Sequence, residues 1–90
     1  MPKKIAVLAR ERQCEAFRMA AGLIMMDDKV DVYVLDRKIY SDPYTQQNLE
    51  IANIAEVDIY TTTKKNKGFK FISTEDLAEK LLEYDIIDPY

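Results

Sequence analysis

The fold is decided by two apolar runs, KIAVLA at residues 4–9 and VDVYVLD at residues 30–36. The first run is continuously apolar after Lys4, which is typical of a strand covered on both faces of a sheet. The segment between the runs carries apolar residues at helical spacing, namely Cys14, Phe17, Ala21 and Ile24. A strand, a helix and a second, parallel strand therefore open the chain, and their connection is expected to be right-handed.

The turn after the first run reads RERQC at residues 10–14 and contains no glycine. Dinucleotide-binding and P-loop motifs need glycines at this place, because their backbone must approach a phosphate closely. Both kinds of phosphate loop are therefore excluded at this turn.

The composition is that of one folded domain over residues 1–90, with 48% hydrophobic and 32% charged residues. A net charge of -3 gives no general attraction to nucleic acid or to an anionic membrane surface. One cysteine and no histidine exclude an intramolecular disulfide and a multi-cysteine zinc site, and they remove the commonest general base. The sequence thus favours a non-catalytic protein over an enzyme, and it indicates no metal and no cofactor.

The apolar run near the N-terminus ends at Arg10, which makes it too short for a signal peptide or a membrane span. We therefore expect a cytoplasmic protein that makes no contact with a membrane.

The middle of the chain continues the alternation of helix and strand. Asp42 and Pro43 form a helix start, because aspartate accepts hydrogen bonds from free amides and proline suits the first helical position. They predict a helix over residues 43–54, followed by a third strand over residues 57–62.

The last part of the chain predicts one more helix and up to two strands. Ser73 lies three residues before Asp76, a capping box that starts a helix with an apolar stripe. Residues 69–72 alternate like a half-exposed strand, and the lysine-rich loop before them is shorter than the dozen or so residues of a parallel crossover. This favours an antiparallel edge strand. Residues 85–88 either form a final strand or place two isoleucines against the core.

These elements predict an α/β fold, a three-layer α/β/α sandwich with a mainly parallel sheet of four or five strands. The end of the first helix, residues 20–26, has no polar side chain and is followed by a polar turn at Asp27. One face of that helix end can cover the sheet, while the other needs a second cover. We expect another subunit there, contacted by Leu23, Met25 and Met26.

Several strings, taken together, resemble the small α/β domains of the DsrE/DsrF-like sulfur-relay family. They are EAFRMA at residues 15–20 before VDVYV at residues 30–34, NLEIA at residues 48–52 before VDIY at residues 57–60, and ISTEDLA at residues 72–78 before LLEYDII at residues 81–87. The resemblance implies a cytoplasmic homo-oligomer, or a complex with a related subunit, and a sulfur-relay protein as a partner. Active members of the family carry a persulfide on a cysteine just after the third strand. Residues 61–63 are threonines here, so the resemblance implies a non-catalytic relative.

Three features remain as candidates for a site. Cys14 is either a reactive thiol, favoured by the helix start and the nearby arginines, or a small hydrophobe on the helix stripe. Arg10 and Arg12 either hold an anion at the carboxyl end of the first strand or belong to a solvated turn. Asp36 has the place of a ribose-binding acid, but without the glycine motif it is read as a polar strand end.

The leading hypothesis is therefore an oligomeric binding module or non-catalytic subunit linked to sulfur or redox metabolism. One alternative is a persulfide carrier that uses Cys14. Another is a sensor of a small anion or nucleotide that binds at the turn from Arg10 to Cys14.

Overall fold

The computed structural model describes residues 3–26 and 28–90 of the chain. In chain order its elements are β1 (Lys4–Ala9), α1 (Gln13–Ile24), β2 (Lys29–Val34), α2 (Pro43–Ile54), β3 (Asp58–Thr61), β4 (Lys70–Phe71), α3 (Thr74–Leu81) and β5 (Ile86–Pro89). The predicted helices and strands are confirmed, and the C-terminal isoleucines do form a strand. The turn predicted at Asp27 lies outside the described residues.

Within this part of the chain the strands form one parallel sheet in the order β4-β3-β2-β1-β5. β1 lies between β2 and β5, so that Ile5 has Val30 on one side and Ile86 on the other. This position explains the continuous apolar run of β1, since Ala6 and Val7 point to opposite faces and are both fully buried.

Helices cover both faces of the sheet, which confirms the three-layer sandwich. Phe17 of α1 and Leu49 of α2 pack on one face against valines of β1 and β2. Leu77 of α3 packs on the opposite face against Ala6 and Tyr33. We call these the α1/α2 face and the α3 face.

Two of the helix starts are capped by the residues that the sequence indicated. The Asp42 carboxylate accepts a hydrogen bond from the backbone N–H of Thr45 at 3.0 Å, with Pro43 in the first helical turn. The Ser73 hydroxyl oxygen accepts one from the N–H of Asp76 at 3.1 Å. Such caps stabilise a helix by about 1 kcal/mol each.

The prediction of an antiparallel edge strand was wrong, because β4 runs parallel to β3. Lys70 lies beside Tyr60, and Phe71 lies beside Thr61. β3 ends at Thr61, and β4 begins beside Tyr60, so the chain has to run back along β3 by only about one residue before it enters β4. The length rule for parallel crossovers applies to strands of ordinary length, whereas β4 has only 2 residues.

Asn66 holds the loop between β3 and β4 in place. Its side chain is buried and donates hydrogen bonds to the carbonyl oxygen of Arg37 at 2.8 Å and to Thr61 Oγ1 at 2.9 Å. Its Oδ1 accepts a third from the N–H of Ile39 at 2.8 Å. One side chain thus satisfies two backbone groups of the loop after β2, which makes a short, ordered connection without a helix.

A chain of hydrogen bonds between Tyr33, Tyr84 and Asp31 lies on the α3 face. The Tyr84 hydroxyl donates to the buried carboxylate of Asp31, and Tyr33, which is fully buried, bonds to the Tyr84 oxygen. Because Tyr84 has one proton and gives it to Asp31, Tyr33 is the donor in the second bond. Burial raises the pKa of both tyrosines, so they stay neutral hydrogen-bond donors.

A network of ion pairs joins β2, β3 and β4 next to these tyrosines. Lys29 Nζ lies 3.1 Å from Asp31 and 3.0 Å from Asp58, and Lys70 Nζ lies 3.3 Å from Asp58. The hydrogen bond from Lys29 is the main cause that lowers the pKa of Asp58 below its ordinary value of 3.8.

Replacement of Asn66 by alanine is expected to lower the free energy of unfolding by about 2 kcal/mol, because the carbonyl oxygen of Arg37 and the N–H of Ile39 lose their hydrogen-bond partner. Urea unfolding measures this change. Asn53→Ala, at an exposed position of α2, is the control and is expected to change stability by less than about 0.5 kcal/mol. Equal effects of the two substitutions would contradict the role given to Asn66.

Asp58 is expected to make the folded protein sensitive to acid. Its pKa is lower in the folded than in the unfolded chain, so its stabilisation is complete above the unfolded value near 3.8 and is lost as the pH falls through the folded value. Asp58→Asn should therefore flatten the decline of stability between about pH 5 and about pH 2. Denaturant unfolding across this range is the measurement. Glu50→Gln, exposed on α2, should leave the slope unchanged.

Candidate functional site

A pocket of about 480 Å³ opens at the carboxyl edge of the sheet, above the ends of β1, β2 and β5. This is where the strand order reverses, since β2 and β5 lie on opposite sides of β1. Open parallel sheets bind ligands at such a place. The pocket is lined by Leu8, Arg10, Glu11, Arg12, Leu35, Arg37, Pro89 and Tyr90.

The turn between β1 and α1 brings two of the predicted residues, Arg10 and Arg12, to the pocket. The N–H of Arg12 donates to the carbonyl oxygen of Tyr90 at 2.9 Å, which ties the start of α1 to the end of β5. The Arg12 guanidinium lies 5.2 Å from the centre of the Tyr90 ring and 3.3 Å from the Glu15 carboxylate. Its position is thus supported by an aromatic face as well as by a surface ion pair.

Arg10 is exposed, and among the described residues it has no carboxylate within ion-pair distance. Its guanidinium is therefore available to a bound anion.

A third arginine, Arg37, completes the lining and was missed by the sequence analysis. It follows β2 closely, and the carboxyl ends of neighbouring parallel strands meet at one edge, which is the signal that could have found it. Arg37 lies 3.4 Å from the Glu11 carboxylate and donates to the Tyr40 hydroxyl oxygen at 3.4 Å. The contact with Tyr40, followed by the attraction of Glu11, raises the pKa of Arg37.

The buried side chain of Gln13 joins the two loops that carry these arginines. Its Nε2 donates to the carbonyl oxygens of Arg10 and Lys38, both at 3.2 Å. Its Oε1 accepts from the N–H of Tyr40 at 2.8 Å. Gln13 is fully buried in the first turn of α1, and no pattern in the sequence indicated a role for it. It sets the separation of the Arg10 and Arg37 loops.

Cys14 does not share the pocket with Arg10 and Arg12. Its sulfur is partly buried and accepts a hydrogen bond from Nδ2 of Asn48 on α2 at 2.9 Å. The three residues predicted as one site are therefore divided between two places, with the arginines at the sheet edge and the thiol between α1 and α2.

The segment after β3, where the resembling family has its cysteine, is occupied by structural threonines. Thr61 is buried and bonded to Asn66. Thr62 Oγ1 accepts from the N–H of Asp36 at 2.7 Å, and Asp36 has a left-handed backbone with φ of 58°. The hydrogen bond between Asp36 and Thr62 thus connects the chain just after β2 to the chain just after β3.

The residues predicted to contact another subunit differ in exposure. Met25 is 86% and Met26 is 75% exposed at the end of α1. Leu23 is partly buried and packs against the core of the α1/α2 face.

The described residues contain no group of three or more cysteine, aspartate or glutamate side chains placed to hold a metal ion. In the same part of the chain, no helix combines the length and apolar character needed to cross a membrane. Comparisons with known protein families, with curated proteins and with solved structures find no match for this chain.

Proposed function

We propose that this domain is a non-catalytic binding module that holds a small anion, of the class of phosphate, in the pocket above β1. The observation that carries the proposal is the convergence of Arg10, Arg12 and Arg37 on one pocket from two different loops. Guanidinium groups bind phosphate oxygens with paired, charge-assisted hydrogen bonds.

The charge of the lining supports an anion with two negative charges. The side chains of the lining, three guanidinium groups and the carboxylate of Glu11, have a formal charge of +2. The ion pairs of Arg12 and Arg37 lie at the surface, where such pairs contribute little and can exchange for a ligand.

The residues around the pocket support binding rather than catalysis. The chain has no histidine, and Glu11, the carboxylate of the lining, is paired with Arg37. A general base needs a free proton acceptor close to the substrate. Cys14 bonds to Asn48 rather than lining the pocket, so the proposed function does not depend on the thiol.

The proposal extends to the cellular setting that the DsrE/DsrF-like resemblance implies, a cytoplasmic protein in sulfur or redox metabolism that acts as a subunit. Self-association of this chain, or association with a related subunit, is supported by the exposed methionines at the end of α1. Anion binding and assembly would then belong to different parts of the same helix, its start and its end.

Arg10→Gln is expected to weaken phosphate binding at least about tenfold, because a charge-assisted contact to the anion is lost. Binding is measured by the rise in Tm that phosphate or pyrophosphate causes, since a ligand of the folded state stabilises it. Arg18→Gln, exposed on α1 away from the pocket, is the matched control and should bind as the parent protein does.

The same titration separates the anion site from a sulfur carrier. Stabilisation by phosphate that survives Cys14→Ser supports the anion site. A protein that accepts a persulfide from a donor, loses this reaction in Cys14→Ser and shows no response to anions would overturn the proposal.

If the exposed methionines at the end of α1 hold subunits together, the protein forms a defined oligomer. Met26→Lys is expected to convert it to a monomer, because the substitution would bury a charge in the apolar contact. Light scattering at micromolar concentration measures the mass. Leu82→Lys is the control, since Leu82 is 86% exposed and follows α3 on the opposite face of the sheet. A monomeric parent protein would contradict self-association.

A further inference from the structure

A second pocket, of about 220 Å³, lies directly beside the arginine pocket, on the side of α3. Leu8, Arg10 and Leu35 line both pockets, so the two are direct neighbours at this edge of the sheet. The rest of the second lining comes from the ends of β2 and β3 and from α3, with Asp36, Thr62, Thr74, Leu77, Ala78 and Leu81. We call this second pocket the α3 groove.

The α3 groove differs chemically from the arginine pocket. Four leucines form its apolar part, Leu8 from β1, Leu35 directly after β2, and Leu77 and Leu81 from α3. Leu35 and Leu77 are buried members of the hydrophobic core on this face, and Leu8 and Leu81 pack against them. The groove thus offers apolar surface to a ligand at the point where the sandwich is open to solvent.

The charged side chains differ between the two neighbouring pockets in the same way. The side chains that line the arginine pocket have a formal charge of +2. In the α3 groove the one arginine, Arg10, is balanced by the carboxylate of Asp36. Counted together, with Arg10 once, the charged side chains of the two linings are three arginines and the carboxylates of Glu11 and Asp36. Two of the arginines belong to the arginine pocket alone, so a ligand that fills both pockets has its anionic end near Arg12 and Arg37 and an uncharged, apolar part near α3, with Arg10 between them.

We infer that the site takes an organic phosphate monoester whose carbon part is apolar or aromatic. This inference rests on the proposed anion site, and it adds the part of the ligand that inorganic phosphate lacks. A monoester fits because its phosphate group offers three acceptor oxygens to the three arginines, whereas a carboxylate offers two. Its single ester bond allows the carbon part to continue past Arg10 into the α3 groove.

Binding of inorganic phosphate and of phenyl phosphate to the full chain tests the inference, with affinities from isothermal titration calorimetry. Phenyl phosphate is expected to bind at least about tenfold more tightly, because the ring removes apolar surface of the α3 groove from water. Both anions should lose affinity in Arg10→Gln, which removes the shared contact.

The variant Ala78→Gln tests whether the higher affinity for phenyl phosphate comes from the α3 groove. Ala78 is exposed on α3 and lines the groove, so the longer polar side chain should occupy the space of the ring and bring the ratio of the two affinities close to one. Glu79→Gln, the adjacent exposed position outside both linings, is the matched control and should keep the parent ratio.

The outcomes distinguish the anion site itself from the apolar part of its ligand. Equal affinity for both anions would overturn the inference and leave the anion site standing. A preference for phenyl phosphate that persists in Ala78→Gln would also overturn it, since the ring would then lie elsewhere. Failure of both anions to bind would overturn the proposed function and the inference together.

Discussion

Parallel pairing on both sides of β1 is the constraint on which the rest of this structure depends. A strand with β2 on one side and β5 on the other, and with helices over both faces, has no side chain that can point to water along its middle. Burial of a valine or isoleucine side chain is worth about 1.5–3 kcal/mol. The same pairing brings the ends of β1, β2 and β5 together, and the candidate site is built on those ends.

Buried amide side chains connect the loops at the carboxyl edge of the sheet. Gln13 joins the loop after β1 to the loop after β2, and Asn66 joins the loop after β2 to the loop after β3. Each amide satisfies backbone groups at the carboxyl edge, where unpaired donors and acceptors would be costly. The arginines of the pocket are therefore presented by connected loops rather than by independent ones, which reduces the entropy lost when a ligand binds.

The fold could be predicted from the sequence to the extent that local patterns express it. Apolar runs, the cap at Asp42 and the capping serine at Ser73 each depend on a few neighbouring residues, and they located the helices and most strands. The direction of β4 could not be predicted in this way. It depends on how far the chain must travel back along β3, which is a property of the paired strands and not of the loop composition.

The candidate site was predicted in part, for the same physical reason. Arg10 and Arg12 were found because they directly follow the first strand, and the ends of parallel strands are where ligands bind. Gln13 and the α3 groove were not found, because contacts between distant loops leave no local period in the sequence. Arg37 was also missed, although it follows the second strand as Arg10 follows the first. Cys14 was grouped with the arginines by its nearness in the chain, although the first turn of α1 directs it toward Asn48.

The sequence by itself determined the strand and helix order, the lack of glycine in the turn after the first strand and the arginines of that turn, because these follow from residue types and short-range spacing. Only the tertiary structure decided which loops meet, since that depends on strand order, on register and on buried hydrogen bonds. The opening strand-helix-strand unit therefore provides the Arg10 and Arg12 side of the arginine pocket. The end of β5 and the loop after β2 complete that pocket, and α3 forms the wall of the α3 groove.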